Sequence, residues 1–135
     1  MSRSIACIDY RKGKILIAKR KPGGDMGERW EFPGGKIEEG ENYSQAIVRE
    51  MNEEFGCGVS VLQQLAQSSF IHGGKECTVN AFRVRLENDG INKPYTLTEH
   101  TQIEWVSPKE ILKRSFVDSD LKLFSQIKNA LSIAD

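Results

Sequence analysis

The chain has 135 residues, of which 39% are hydrophobic and 28% charged, a composition typical of one soluble globular domain and unlike that of a disordered chain. Its 19 basic and 19 acidic residues cancel, which argues against a nucleic acid polymer as the partner, because such partners usually require a basic surface. The apolar runs are about four residues long, far below the ~20 residues of a membrane-spanning helix. We therefore predict a single domain over residues 1–135 with no membrane partner.

Cysteine use indicates a reducing compartment. Cys7, Cys57 and Cys77 are odd in number and widely spaced, without a C-x-x-C pair, as is usual for reduced thiols in a cytosolic protein. No apolar core of a signal peptide follows Met1. These features predict a cytoplasmic protein, which we expect to be a monomer or a weak homodimer.

The first half of the chain combines strands with one helix. Strand-rich runs at 4–9 and 14–19 flank the turn sequence 10–13, and we interpret them as a hairpin. Residues 21–27 are rich in glycine and predict a loop, and alternation at 30–32 predicts a short strand.

Helix signals follow this glycine-rich region. Asn42 and Gln45 have the spacing of a capping box, and Gly56 stands where a left-handed stop is expected. A helix is therefore predicted from Tyr43 to Phe55.

In the second half of the chain, three predicted strands are followed by two predicted helices. Strands are predicted at 59–69, 75–86 and 101–106, with a polar loop at 88–98. Ser107-Pro108 begins a short helix, and the last helix follows from the spacing of four apolar residues. Those residues are Leu121, Phe124, Ile127 and Leu131. This order favours an α/β (α+β) fold, in which a mixed β-sheet is sandwiched between helices.

The helix at 43–55 carries an acidic face. Glu50, Glu53 and Glu54 are spaced i, i+3, i+4 and share one side, where they repel one another. An apolar stripe anchors the other side to the core: Ile47, Met51 and Phe55. Alone, three such glutamates indicate either a solvated face or a site for a cation.

The segment 32–41 favours the cation. Its glycines let the backbone approach a ligand closely. Mg²⁺ prefers oxygen ligands and is usually held by one or two carboxylates, waters and substrate phosphates. A loop carbonyl, the glutamate face and an incoming phosphate would complete such a shell.

These residues also resemble a known family. Gly35, Glu41 and the run 49–57 match the Nudix box, G-x5-E-x7-R-E-U-x-E-E-x-G-U, at all seven fixed positions. By average residue usage, such a match arises by chance roughly once in 10⁸ windows. Met51 and Cys57 depart mildly, since a branched aliphatic residue is usual at both positions. The resemblance implies the Nudix fold.

The resemblance also implies an activity and a metal site. Nudix hydrolases cleave a nucleoside diphosphate linked to another moiety, with Mg²⁺ or Mn²⁺. The implied metal ligands are the carbonyl of Gly34 and the carboxylates of Glu50, Glu53, Glu54 and Glu99. The implied catalytic residues are Glu50, Glu53 and Arg49, and either glutamate can be the general base. Arg49 and Glu41 resemble the pair that orients the helix.

The segment 30–38 and the short chain resemble the MutT branch, whose members hydrolyse (d)NTPs to (d)NMP and pyrophosphate. The implied substrate-binding residues are Arg20, Phe32, Lys36, Val79 and Asp120, with Ile71 also near the base. Each also has a structural interpretation, as a surface charge, a core residue or, for Asp120, a helix N-cap. An ionised Asp120 accepts hydrogen bonds and suits the exocyclic amine of cytosine or guanine. We therefore expect a housekeeping enzyme for CTP or for an oxidised or modified nucleotide such as 8-oxo-dGTP, with a place in DNA repair.

Two alternatives stay open. One is an ADP-ribose, nucleotide-sugar or dinucleoside polyphosphate pyrophosphatase of the same superfamily, although 69–74 lacks the proline or tyrosine that ADP-ribose and dinucleoside polyphosphate enzymes carry there. The other is a non-catalytic Nudix-fold module that binds nucleotides, although such modules usually lose glutamates of the box.

Overall fold

A computed structural model describes residues 2–24, 26–87 and 100–133. Within them the elements follow in this order: β1 (Ser2–Ile8), β2 (Tyr10–Arg11), β3 (Lys14–Arg20), β4 (Trp30–Glu31), β5 (Gly34–Lys36), α1 (Tyr43–Phe55), β6 (Val59–His72), β7 (Lys75–Leu86), β8 (His100–Val106), α2 (Pro108–Ile111) and α3 (Asp118–Ala130). No helix in these ranges is long and apolar enough to cross a bilayer.

The strands form two sheets. The first has the order β5-β1-β7-β6 and is mixed, since β1 and β7 run parallel while the other pairs are antiparallel. The second has the order β2-β3-β4, with β8 on the remaining edge of β3, and its pairs are antiparallel. The predicted mixed sheet is therefore present, and a second sheet accompanies it.

The predicted hairpin of 4–9 with 14–19 is wrong in its pairing. The hairpin is confined to β2 and β3, with Tyr10 opposite Ile15, whereas β1 pairs with β5 and β7. Asp9, 1% exposed, lies where the chain leaves one sheet for the other. Its carboxylate accepts bonds from Arg11 at 2.7 and 2.8 Å and from the Leu86 amide at 2.9 Å. These bonds hold the crossing between sheets.

The alternation of β1 shows how the layers stack. Ile5 and Cys7 point into a core shared with α1, whereas Ala6 and Ile8 point into a core shared with α3. Successive strand residues face opposite sides, so the two helices cover opposite faces of the sheet. The predicted arrangement of sheet between helices is confirmed.

The helix termini follow the sequence signals. Asn42 and Gln45 form the capping box at the start of α1, and Gly56 ends it in the left-handed region at φ 64°. A side chain at Gly56 would be strained there. The two caps fix where α1 begins and ends, and the acidic residues of α1 lie between them.

Candidate active site

Arg49 organises the acidic face of α1. Its guanidinium donates to both oxygens of Glu41 at 2.7 and 3.0 Å, to Glu50 at 2.8 Å and to Glu53 at 3.4 Å. It also donates to the Lys36 carbonyl at 3.0 Å. The hydrogen bond from Arg49 lowers the pKa of Glu41, and the same bond raises the pKa of Arg49. The predicted Arg49–Glu41 pair is therefore present and ties α1 to β5.

Two glycines of β5 let the chain pass close to its neighbours. A Cβ on Gly35 would lie 2.5 Å from the Glu50 carboxylate, and one on Gly34 would overlap the Ile5 carbonyl. Real Cβ atoms keep a greater distance than this. The bare backbone of Gly35 thus forms a cradle for the Glu50 carboxylate, while Gly34 lets β5 lie close against β1.

A buried histidine joins two glutamates beside this face. His100 and Glu54 are 4% and 5% exposed. His100 Nδ1 lies 2.8 Å from Glu54 Oε1, and Nε2 lies 2.8 Å from Glu31 Oε2. Burial alone would lower the pKa of His100, but the hydrogen bonds to Glu31 and Glu54 raise it to about 9. The ring is therefore an imidazolium at neutral pH and donates to both carboxylates.

The segment before α3 pairs with β4 and brings Asp120 to the cleft. The Trp30 amide donates to the Ser115 carbonyl at 2.8 Å, and the Val117 amide donates to the Trp30 carbonyl at 2.9 Å. Two residues after Trp30, the Phe32 amide donates to Asp120 Oδ2 at 2.9 Å. The N-cap interpretation of Asp120 is wrong, because α3 is capped at Val117 and the Asp120 carboxylate bonds across to Phe32.

Asp120 is a buried acid beside another acid. It is 7% exposed. Burial, and then the charge of Glu31, raise the pKa of Asp120 from 3.8 to about 7, while the Phe32 amide and Arg20 act in the opposite direction. Its carboxyl is therefore partly protonated at neutral pH, and it can both donate and accept hydrogen bonds.

Two adjacent cavities form one cleft. The cavity we call the acidic cavity has a volume of about 430 Å³, and the one we call the inner cavity about 220 Å³. Both are lined by Arg20, Glu31, Gly34, Gly35 and Lys36. The acidic cavity adds Glu50, Glu53, Glu54 and His100. The inner cavity adds, among others, Phe32, Phe70, Val79, Ser119 and Asp120.

Residues 2–127 match the family described as NUDIX domain. The chain belongs to the Nudix family. The CTP pyrophosphohydrolase of Escherichia coli (strain K12) is 33% identical over 123 residues, covering 91% of this chain and 88% of that protein. The 8-oxo-dGTP diphosphatase of Haemophilus influenzae is 29% identical over 117 residues, covering 87% and 83%. The solution structure of the E. coli ORF135 protein superposes with a TM-score of 0.80 at 32% identity, covering 100% and 95%.

These matches confirm the predicted Nudix fold and the prediction that the chain is a hydrolase of this family. The cleft of this Nudix hydrolase brings together the predicted substrate-binding residues, since the inner cavity is lined by Arg20, Phe32, Lys36, Val79 and Asp120. Ile71 was predicted near the base, and this is wrong, because its side chain is 70% exposed and Phe70 lines the cavity instead. The predicted polar loop at 88–98 and the predicted ligand Glu99 lie outside the described residues.

The donors of the acidic cavity fit a hard cation. Carboxylates and a backbone carbonyl are oxygen ligands of the kind that Mg²⁺ takes. Within the described ranges, no group of three or more His, Cys, Asp or Glu side chains is placed to hold a metal ion. In this structure Arg49 donates to Glu50 and Glu53, and His100 contacts Glu54. Mg²⁺ needs only one or two carboxylates when phosphates and waters complete its shell, so the metal site stays a prediction that the donor set supports.

Sequence reasoning missed His100 and Glu31. The sequence patterns assign no role to His100, and Glu31 falls only within the short predicted strand at 30–32. The two positions are 69 residues apart in the chain. The one available signal was the alternation of Trp30, Glu31 and Phe32, which places the side chain of Glu31 opposite its neighbours.

Proposed function

We propose that this Nudix hydrolase cleaves a nucleoside triphosphate to the monophosphate and pyrophosphate, with Mg²⁺ as cofactor and Mn²⁺ as a substitute. The observation that carries this proposal is the two-part cleft. Carboxylates line the acidic cavity, and the adjoining inner cavity has apolar walls with the Asp120 carboxyl at one side. Arg20 and Lys36 line both cavities. The names of the two curated relatives, a CTP pyrophosphohydrolase and an 8-oxo-dGTP diphosphatase, support the same reaction class.

The acidic cavity suits hydrolysis of a phosphoanhydride. The residues that would hold Mg²⁺ are Gly34, through its carbonyl, and Glu50, Glu53, Glu54 and Glu99. When bound, the cation supplies charge neutralisation and a more acidic water. Glu50 or Glu53 takes the proton as the water oxygen bonds to phosphorus and the anhydride P–O bond breaks. The electron pair of that bond leaves with the departing phosphate group.

The basic residues bind the anionic chain of the substrate. The side chain of Arg20 is 38% exposed, and its guanidinium donates to both oxygens of Glu31 at 3.2 Å, so its position is set before a phosphate arrives. Lys36 lies on the exposed end of β5. Because both side chains border both cavities, they suit phosphates that run from one cavity to the other.

The inner cavity suits a base. Phe32 and Val79 supply apolar walls, and the partly protonated Asp120 offers both a donor and an acceptor. Cytosine presents an amine donor beside a ring acceptor, and such an edge can pair with Asp120 in either protonation state. This supports CTP or a modified or oxidised nucleotide such as 8-oxo-dGTP as substrate. We also propose a cytoplasmic protein, monomeric or weakly dimeric, that acts on free nucleotides and in this way limits damage to DNA.

The test is the product released from a substrate panel with Mg²⁺ in excess. The panel contains CTP, dCTP, 5-methyl-dCTP, dGTP, 8-oxo-dGTP, ADP-ribose and diadenosine tetraphosphate. We expect pyrophosphate, rather than orthophosphate, from one or a few triphosphates. A parallel preparation of Glu53→Gln controls for contaminating enzymes. Cleavage of ADP-ribose or of the dinucleotide alone would move the function to the alternative branch, and nucleotide binding without turnover would indicate a non-catalytic module.

A further inference from the structure

His100 is the buried residue that contacts carboxylates of both cavities. It begins β8 and lies opposite Arg20 of β3. Its two ring nitrogens lie 2.8 Å from Glu54 on α1 and 2.8 Å from Glu31 on β4. A single rigid ring therefore joins the catalytic helix to the strand that borders the inner cavity.

The two glutamates belong to different parts of the cleft. Glu54 lines the acidic cavity, where the cation is proposed to bind. Glu31 lines both cavities, is hydrogen-bonded by Arg20, and acts by its charge on Asp120. Because His100 bonds to both glutamates, a displacement of one of them also changes the position of the other in its own cavity.

The ring does more than fill space. A leucine would occupy a similar volume, but it would take the donor away from two carboxylates whose side chains are only 6% and 17% exposed. A buried carboxylate that loses its donor is costly and moves or takes up a proton. Partners that orient a metal-binding side chain in this way affect metal affinity without touching the metal.

We propose that His100 is a positioning residue that couples divalent-cation binding at Glu54 to base selection beside Glu31. The part that concerns base selection rests on the proposed function. The part that concerns cation binding does not depend on which substrate is cleaved. The two parts can therefore fail separately.

The first test measures Mn²⁺ binding to the nucleotide-free protein by electron paramagnetic resonance. His100→Gln replaces the two ring nitrogens, which contact separate carboxylates, by a single amide nitrogen, and we expect its dissociation constant for Mn²⁺ to rise roughly 10-fold or more. His72→Gln, at an exposed position at the end of β6, is the matched control and should bind as the wild type does. In a Glu54→Gln background the His100 substitution should add little. An unchanged dissociation constant for His100→Gln would overturn the proposal.

The second test measures base selectivity, as the ratio of kcat/KM for the best and second-best triphosphates. We expect His100→Gln to change this ratio at least about threefold, and the change to vanish in a Glu31→Gln background. A uniform loss of rate with the same ratio would contradict the coupling, since a merely structural defect lowers turnover on every substrate alike.

A third measurement uses the wild-type chain, in case the variants do not fold. The chain has two histidines, so their ring ¹⁵N resonances are easily assigned. The His100 resonances should shift with Mg²⁺ alone and also with nucleotide in the presence of a chelator, while those of His72 stay in place. A response of His100 to only one of the two would overturn the coupling. Absent triphosphate turnover with an intact Mn²⁺ effect would reject the proposed function and support the cation part of the positioning role.

Discussion

The carboxylates at the two ends of the cleft have opposite electrostatic surroundings. At α1, Arg49 contacts Glu41, Glu50 and Glu53, and the side chain of Glu53 is 56% exposed. At the inner end, Asp120 is 7% exposed, and its burial, followed by the charge of Glu31, raises its pKa. The first end surrounds a permanent cation with carboxylates, and the second places one carboxylate near another.

The difference separates two tasks. Ionised carboxylates are the ligands and bases that phosphoryl chemistry requires, and a cation such as Arg49 favours that form. A buried carboxyl with a pKa near 7 changes between donor and acceptor and can adapt to a base edge. We therefore expect substitutions at the first end to change rate, and substitutions at the inner end to change selectivity and pH dependence.

The largest effect is expected for Glu53→Gln at the charged end. The change keeps size and hydrogen bonding but removes the charge, so turnover should fall by ~10²-fold or more with the fold intact. Steady-state kinetics with circular dichroism checks this. Glu39→Gln, an exposed acid outside both cavities, should keep wild-type turnover. A folded Glu53→Gln enzyme of normal activity would exclude the assignment.

A smaller loss is expected for Gly35→Ala in the cradle. The new Cβ would lie 2.5 Å from the Glu50 carboxylate, so that flexible side chain must move and turnover should fall about 10-fold. Gly73→Ala is the control, because its φ of 59° makes alanine unfavourable while no atom lies within 4 Å of the added Cβ. That variant should lose about 1 kcal/mol of stability and keep its rate. The opposite pattern would show that the cradle does not position Glu50.

Asp120→Asn should change selectivity more than rate. The amide donates and accepts at fixed positions, whereas the acid changes with protonation. We expect the order of preference among CTP, dCTP and 8-oxo-dGTP to change by a few-fold in kcat/KM, with little loss on the best substrate. An unchanged order would remove Asp120 from the recognition site.

The pH dependence of stability gives the finest comparison. The pKa of Asp120 is about 7 in the folded chain and 3.8 ordinarily, so between these values the folded state binds more protons than the unfolded state. The contribution of Asp120 to stability therefore falls as pH rises from about 4 to 7, and it levels off above. Relative to Asp120→Asn, the wild type should lose roughly 3–4 kcal/mol over this range in chelator, measured by urea unfolding. A constant difference between the two proteins would contradict the raised pKa.

Sequence patterns predicted local features better than pairings. The helix from Tyr43 to Phe55 is confirmed at both ends, because its cap and its glycine stop are read within one turn of the chain. The hairpin of β1 with β3 was wrong because pairing partners are chosen by distant strands: β1 lies beside β7, some 75 residues on. The strand β5 was missed because Gly34 and Gly35 have low strand propensity, and close passage past Ile5 and Glu50 outweighs it.

In the site, too, residues close together in the sequence were predicted, whereas contacts between distant residues were not. Arg49, Glu41 and the three glutamates of α1 were predicted from one motif, and in the structure each of these glutamates contacts Arg49 or His100. Glu54 was expected to share a face with Glu50 and Glu53, which is correct, but its burial was not foreseen. The buried carboxylate of Glu54 contacts His100, which lies on β8.

By itself, the sequence determined the capped helix α1, its acidic face and the glycines before it, because helix periodicity and backbone sterics act over a few neighbouring residues. Only the tertiary structure decided that Glu31, His100 and Asp120 meet. His100 and Glu31 are 69 residues apart, and Asp120 and Phe32 are 88 apart. The pKa values of His100 and Asp120 depend on burial and on neighbouring charges that exist only once the two sheets and α3 have packed together.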